Sequence, residues 1–437
     1  MKIAVISLGC AKNLVDTENL LGILRESGQE FTSSWKDADA CIINTCGFIT
    51  SAKEEALDTI EEVLAHKGGK LNRVIVMGCL AKRYKPDLEA AFPDVDRVIS
   101  IDEYGHLGQI LSETLGVRIA NDYGKAPRVL AGKPWMAYVR IADGCNNRCS
   151  YCAIPTIRGR FISRPQEDIV REVRDLAAAG VKEINLIAQD SSMYGFDFDG
   201  HLHLSELLKK LDAIDGVRWI RVLYLYPDEI PDDLIDTINS SSHILPYFDI
   251  PVQHGGDRML KAMHRRGSRA LIEERCRAIR SRVPNAVLRT TLIAGFPGET
   301  EEDHQENLSL VRAVHFDHLG AFTYSKEEGT PAFDMDDNVP EEVKEQRKAE
   351  IMKLQESIAA EDRKKMIGTT AEVLLESKHP LGNMYIGRSA FYAPDGVDGC
   401  VYVKCTGQHS PGDMVSVKIT KTAKQDLIGE EIDNAVE

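Results

Sequence analysis

The densest chemistry in the sequence is Gly144-Cys145-Asn146-Asn147-Arg148-Cys149-Ser150-Tyr151-Cys152, a C-x3-C-x2-C run just beyond an apolar, strand-like stretch. Three thiols this close can wrap one metal centre from a single loop. Three is the informative number. A closed structural zinc site takes four protein ligands, and clusters that only carry electrons are usually held by four cysteines. A three-cysteine cluster leaves one iron open to another molecule. Spacing alone keeps two alternatives, a zinc site with a distant fourth ligand and a chance arrangement.

A second set is scattered. Cys10, Cys46 and Cys79 each follow a short run rich in Val and Ile, at residues 2–8, 40–44 and 73–77. Such runs, separated by amphipathic stretches at 16–27 and 52–66, predict parallel strands with intervening helices. In a parallel sheet the carboxyl ends converge on one crevice, so three distant cysteines can meet there. Cys41 is the internal control. It begins the strand that Cys46 ends, about 17 Å away at ~3.4 Å per residue, and is expected to be a buried structural thiol. Cys276 falls in a helical pattern and Cys400 and Cys405 in a β-rich tail; their spacing is not ligand-like, and small apolar roles are expected. The opening MKIAVISLGCAKN lacks the charged lead-in and cleavage site of a signal peptide. No window approaches a membrane span. A cytoplasmic location follows as the expectation, and ten cysteines there suit metal or redox chemistry better than disulfides.

Three regions must position these residues. Residues 1–125 are expected to form an N-terminal parallel α/β sandwich. After a Gly- and Pro-containing connector at 121–134, residues 131–367 resume the alternation, with strands expected at 136–141, 183–188, 219–224, 247–252, 287–293 and 319–324. Six strand–helix units fit a partial (β/α)6 barrel, although periodicity leaves an open sheet possible. A helix, as at 165–179, stops at glycine; a long one at 340–367 opens on proline and leaves at Gly368. Residues 368–437, with short runs broken by Gly and Pro, read as a small all-β barrel.

The cysteine loop, with its aromatic Tyr151 before the third Cys, resembles the signature of radical S-adenosylmethionine enzymes. The resemblance implies that Cys145, Cys149 and Cys152 hold a 4Fe-4S cluster whose open iron chelates S-adenosylmethionine. Reductive cleavage then gives a 5′-deoxyadenosyl radical able to attack an unactivated C–H bond. Gly295-Phe296-Pro297-Gly298-Glu299 resembles the segment beside the adenine. Gln189 stands where polar groups meet the methionine end, and Gln253 at the ribose-side position. With a second trio at Cys10, Cys46 and Cys79 and a terminal β module similar to the TRAM domain, the whole chain resembles the methylthiotransferases. That family implies two 4Fe-4S clusters, the N-terminal one handling sulfur, and an external electron donor such as flavodoxin or ferredoxin. It implies no catalytic side chain beyond the cluster ligands.

Two branches of that family differ in substrate. One methylthiolates an isopentenyladenosine in tRNA (MiaB-like). The other acts on the β-carbon of an aspartate in the twelfth protein of the small ribosomal subunit (RimO-like). Residues 7–18 (SLGCAKNLVDTE), 44–49 (NTCGFI), 249–254 (DIPVQH) and 426–429 (DLIG) resemble the ribosomal-protein branch, with Ile428 where Trp is more usual. Charge points the same way. The chain has 53 Lys plus Arg against 68 Asp plus Glu, and from Gly368 onward ten acidic face six basic residues. RNA grip wants a positive groove with stacking aromatics, so RNA contact is not favoured and a basic ribosomal protein suits better. The basic turn Arg158-Gly159-Arg160, with Arg164, could anchor a carboxylate of cofactor or substrate, or be solvated surface. An iron–sulfur electron carrier is the reading from another class, and it leaves residues 295–299 unexplained.

Overall fold

The structure is a computed structural model and describes residues 1–380, 382, 384–394 and 396–432. The chain divides into two compact units. The first comprises residues 1–164, 187–189 and 325–334, the second residues 165–186, 190–324 and 335–437.

The first unit begins with β1 (Lys2–Ser7), α1 (Ala11–Glu26), β2 (Glu30–Phe31), β3 (Ala40–Thr45), α2 (Thr50–Leu64), β4 (Arg73–Gly78), α3 (Cys79–Ala91), β5 (Arg97–Ser100) and α4 (Leu107–Leu115). The strands form one parallel sheet in the order β2-β1-β3-β4-β5. β3 is buried along its whole length, as expected of a central parallel strand covered on both faces. Its alternate side chains serve two cores. Ala40 and Ile42 pack with Leu20, Ile23 and Leu111; Cys41 and Ile43 pack with Ala56, Ile60 and Leu88. Cys41 is fully enclosed, as the strand geometry requires, and burial pushes its thiol up to about 12. Both edge strands, β2 and β5, escaped the sequence reading. β2 has two residues and β5 four, too few to show a period.

Further along this unit come β6 (Met136–Arg140), β7 (Ala142–Asp143), α5 (Ile154–Arg158) and β8 (Ile162–Ser163). β7 and β8 pair antiparallel, Ala142 opposite Ser163 and Asp143 opposite Ile162. This short ladder closes the base of the loop that carries Cys145, Cys149 and Cys152.

The second unit runs α6 (Gln166–Ala178), β9 (Glu183–Ile187, its last residue in the first unit), α7 (Phe196–Asp199), α8 (Leu204–Asp212), β10 (Trp219–Val222), α9 (Asp232–Ser240), β11 (Ile244–Asp249), α10 (Asp257–Ala262), α11 (Arg269–Arg282), β12 (Val287–Ala294), α12 (Glu301–Val314), β13 (His318–Thr323) and α13 (Glu341–Lys365). Its strands are parallel and lie in the order β13-β12-β11-β10-β9. All six strands expected between residues 131 and 330 form. β11 starts three residues earlier than expected, because Ile244 pairs with Ile220.

The tail gives β14 (Thr370–Lys378), β15 (Met384–Ser389), β16 (Val401–Lys404), β17 (Met414–Ala423) and β18 (Asp426–Glu431), a closed barrel in the order β14-β15-β16-β18-β17. Its interior is Val373, Leu375, Tyr392, Val403, Val417 and Leu427. Within the second unit the barrel docks near the amino ends of the parallel strands. Arg388 Nη2 lies 2.5 Å from Glu183, the first residue of β9, and its Nε 2.9 Å from Glu376. Trp219 Nε1 donates to Glu372 at 3.2 Å, Tyr247 Oη to Asp398 at 2.9 Å, and His318 Nε2 meets the Phe391 carbonyl at 2.7 Å. Glu372, Glu376 and Asp398 therefore spend their charge inside the unit. The tail's acidic balance is less available to a partner than the sequence count suggests.

Candidate metal centres

In the first unit the chain ends of β1, β3 and β4 deliver Cys10, Cys46 and Cys79 within one or a few residues of each strand's carboxyl end. Asn13, one turn into α1, ties the three ends together. Its Nδ2 donates to the carbonyls of Leu8 and Thr45, both at 3.0 Å, and its Oδ1 accepts from Cys79 Sγ at 3.4 Å. Gly9 is required by the packing. Its φ is +89°, and a Cβ there would fall 2.6 Å from Cys46 Cβ and 3.0 Å from Cys46 Sγ. Cys46 and Cys79 are buried and Cys10 is exposed, so the trio has an open side. Burial raises both enclosed thiols, Cys79 to about 12, with the Arg158 guanidinium opposing the rise.

The loop after Cys46 is anchored too. Arg83 Nη1 donates to the Gly47 carbonyl at 2.7 Å, and the Thr50 N–H, at the start of α2, donates to Glu327 at 2.9 Å. Lys53 and Arg83 flank the same buried carboxylate at 3.0 and 3.4 Å.

Cys145 and Cys149 are buried and Cys152 half-buried. The Cys145 N–H bonds the Gly159 carbonyl at 3.1 Å, Cys152 N–H the Cys149 carbonyl at 3.1 Å, and Ala332 N–H the Ser150 carbonyl at 2.8 Å. The loop is therefore held by backbone bonds before any metal arrives. Tyr151 stands half-buried in it. None of the ten cysteines forms a disulfide. Gln189 lies in this unit with both side-chain atoms enclosed and without a hydrogen-bond partner. An orphaned amide is costly unless a ligand completes it, and this one fits the polar end of an amino-acid cofactor.

The remaining expected contacts belong to the second unit. Gln253 has φ +74°, and its backbone bridges to β12 through Thr291 and Ile293, both at 2.8 Å. Gly295, Phe296 and Pro297 are buried at the carboxyl end of β12. The Gly295 N–H donates to Glu299 Oε2 at 3.0 Å, and Arg347 of α13 holds Glu299 Oε1 at 2.9 Å. Gln253 and residues 295–297 thus sit on adjoining strand ends.

Sequence reasoning left open what Arg158 does. The structure places it, 9% exposed, against Asp16 Oδ2 at 2.8 Å, Asn13 Oδ1 at 2.9 Å and Cys79 Sγ at 3.6 Å. The carboxylate it anchors is the chain's own. Burial would raise the Asp16 carboxyl, but Arg158 and Arg140 outweigh it and hold it below the usual range. Arg164 donates to the Arg140 carbonyl at 2.7 Å, and Arg160 is exposed. The signal available in the sequence was the pair Asn13 and Asp16, three apart on α1 and just past Cys10, which share a helix face.

Three family descriptions match: Uncharacterized protein family UPF0004 over residues 2–100, Radical SAM superfamily over 139–311, and TRAM domain over 367–432. Among solved structures, the radical S-adenosylmethionine methyltransferase TsrM from Kitasatospora setae is similar in fold. Its TM-score is 0.54 at 13% identity, over 88% of this chain and 80% of that one. Among curated relatives, "Ribosomal protein uS12 methylthiotransferase RimO" of Clostridioides difficile (strain 630) is 44% identical over 439 residues, covering 98% of both chains. The protein of that name from Aquifex aeolicus (strain VF5) is 45% identical over 430 residues, covering 98% of this chain and 97% of its own. Likeness of that degree over nearly every residue leaves one assignment: the chain belongs to the RimO family of radical S-adenosylmethionine methylthiotransferases.

Proposed function

We propose that this protein methylthiolates the β-carbon of an aspartate in ribosomal protein uS12, using S-adenosylmethionine and two 4Fe-4S clusters. The observation that carries the reading is likeness to RimO proteins over 98% of the chain, in a molecule that keeps all six expected thiols in one compact unit. Cys145, Cys149 and Cys152 would hold one cluster and Cys10, Cys46 and Cys79 the other. Bound there, the clusters and S-adenosylmethionine supply one-electron cleavage chemistry and a carrier for sulfur.

The chain's own residues do the rest. Asn13 fixes the strand ends that present the N-terminal trio. Arg158 holds a cation beside Cys79, where a thiolate gains from it, and its charge is balanced by Asp16. The enclosed Gln189 amide offers a donor and an acceptor to the methionyl end of the cofactor. Within the second unit, Gln253 and the Gly295–Pro297 turn would by the family resemblance serve the nucleoside of S-adenosylmethionine. Tyr151 lies within the cysteine loop itself. An electron donor of the flavodoxin or ferredoxin kind would reduce the clusters in the cytoplasm. Among the described residues no helix is long and apolar enough to cross a membrane. The tRNA reading is not favoured.

The test is anaerobic incubation of the reconstituted protein with dithionite, S-adenosylmethionine, uS12 and tRNA in one vessel. Mass spectrometry should find one methylthio group on one uS12 aspartate, together with 5′-deoxyadenosine. Modification of tRNA with uS12 unchanged would overturn the substrate. Absence of 5′-deoxyadenosine would overturn the chemistry.

A further inference from the structure

The barrel of the second unit contains a donor cluster that uses none of the six thiols above. We propose that Cys405, His409 and Glu431 form a zinc(II) site tying the loop between β16 and β17 to strand β18. One ligand atom from each, a sulfur, a ring nitrogen and a carboxylate oxygen, all lie within 4.8 Å of one another. Zinc bonds of about 2.0–2.3 Å place neighbouring ligands ~3–4 Å apart, so small side-chain rotations close the shell.

Each donor is already prepared. Cys405 is 5% exposed and follows β16 directly. The Thr406 N–H and hydroxyl both donate to Glu431 Oε2, at 2.8 and 3.1 Å, which leaves Oε1 facing His409. His409 Nε2, an enclosed atom, lies 2.8 Å from that oxygen. The His409 backbone is clamped on both sides by one hydroxyl. Its N–H donates to Tyr385 Oη at 3.1 Å, and Tyr385 Oη donates to its carbonyl at 3.0 Å. Asp413 Oδ2, which accepts from the Ser410 N–H at 2.9 Å, lies 3.9 Å from Nδ1, a longer-range charge on the far side of the ring.

Charge selects the ion. A thiolate and a carboxylate balance one divalent cation, and a neutral imidazole adds none, so the three ligands leave the ion neutral when the site is filled. Soft sulfur disfavours calcium and magnesium, which take oxygen. Binding replaces the Cys405 S–H bond with S–Zn and releases one proton to solvent. Three protein ligands leave a fourth position for water.

The test uses full-length protein with both clusters filled, so that vacant cluster cysteines cannot take the metal. After equilibration with zinc chloride and gel filtration, elemental analysis should find about one zinc per chain. The C405S and H409A variants should lose that zinc and keep their iron. Zinc equal in the wild type and both variants, or no retained zinc, overturns the proposal. Should a variant fail to fold, wild-type crystals decide. Anomalous scattering across the zinc edge must peak between Cys405, His409 and Glu431, and no peak there overturns the site.

Discussion

Arg158 Nη2 stands 3.6 Å from Cys79 Sγ, which joins the segment following the radical-type cysteine loop to the N-terminal trio within one unit. The same nitrogen holds Asp16 at 2.8 Å, and Arg140 Nη1 meets the other oxygen of that carboxylate at 2.7 Å. The N-terminal trio and the segment that follows the cysteine loop are therefore joined by a buried, charged hydrogen-bond network as well as by packing of Cys79 with Ala153 and Ile157.

Replacing Arg158 by Met should be costly. It leaves the fully buried Asp16 with Arg140 as its remaining cation, beside the Tyr123 hydroxyl that also donates to it, a loss on the order of 3–5 kcal/mol. Calorimetry should show the first unit melting earlier. Adding D16N to R158M should recover part of the loss, because the uncompensated charge goes too. An unshifted transition in R158M would contradict the network.

Gly9 gives a test that separates the two trios. Ala at φ +89° is strained by about 1–2 kcal/mol, and its Cβ meets Cys46. G9A is expected to form 5′-deoxyadenosine at near wild-type rate while losing most methylthio insertion. Equal loss of both activities would count against a division of labour between the trios.

Arg388 pins the barrel. Removing it leaves Glu183, fully buried, with Arg221 as its remaining cation, and R388M should cost roughly 3–5 kcal/mol. Limited proteolysis should then cut near residues 366–370 at lower protease concentration than in the wild type. An unchanged cleavage pattern would show that the docking does not depend on this pair.

Glu229 supplies a pH signature. Burial and the neighbouring Asp190 push its carboxyl up to about 8, against the pull of Arg266. Between about pH 4.5 and 8 the folded protein holds a proton there that the unfolded chain has released, so this group makes stability fall as pH rises. E229Q should flatten that part of the profile of unfolding temperature against pH. A profile equally steep in the variant would contradict the assignment.

The short-range chemistry was legible in the sequence because C-x3-C-x2-C needs no knowledge of the fold. The placement of Cys10, Cys46 and Cys79 just past the carboxyl ends of β1, β3 and β4 was legible through one rule, that parallel strands end on the same edge. Contacts between distant segments were not. Asn13 and Asp16 mark a polar helix face beside Cys10, but nothing in the sequence names Arg158 as what meets it, and the run Arg158-Gly159-Arg160 reads equally as surface. The barrel itself was legible as short strand-like runs, but its closing order was not, because pairing of β16 beside β18 is set by contacts across the tail. Likewise, Cys405, His409 and Glu431 become neighbours only when β16 and β18 pair side by side.

Iron counted per chain on oxygen-free, reconstituted protein tests the account at its root. Two trios predict about eight irons in the wild type. About four should remain when Cys10, Cys46 and Cys79 are all replaced by Ala, and about four when Cys145, Cys149 and Cys152 are. A wild type holding about four, with one of the two triple variants unchanged, would contradict it.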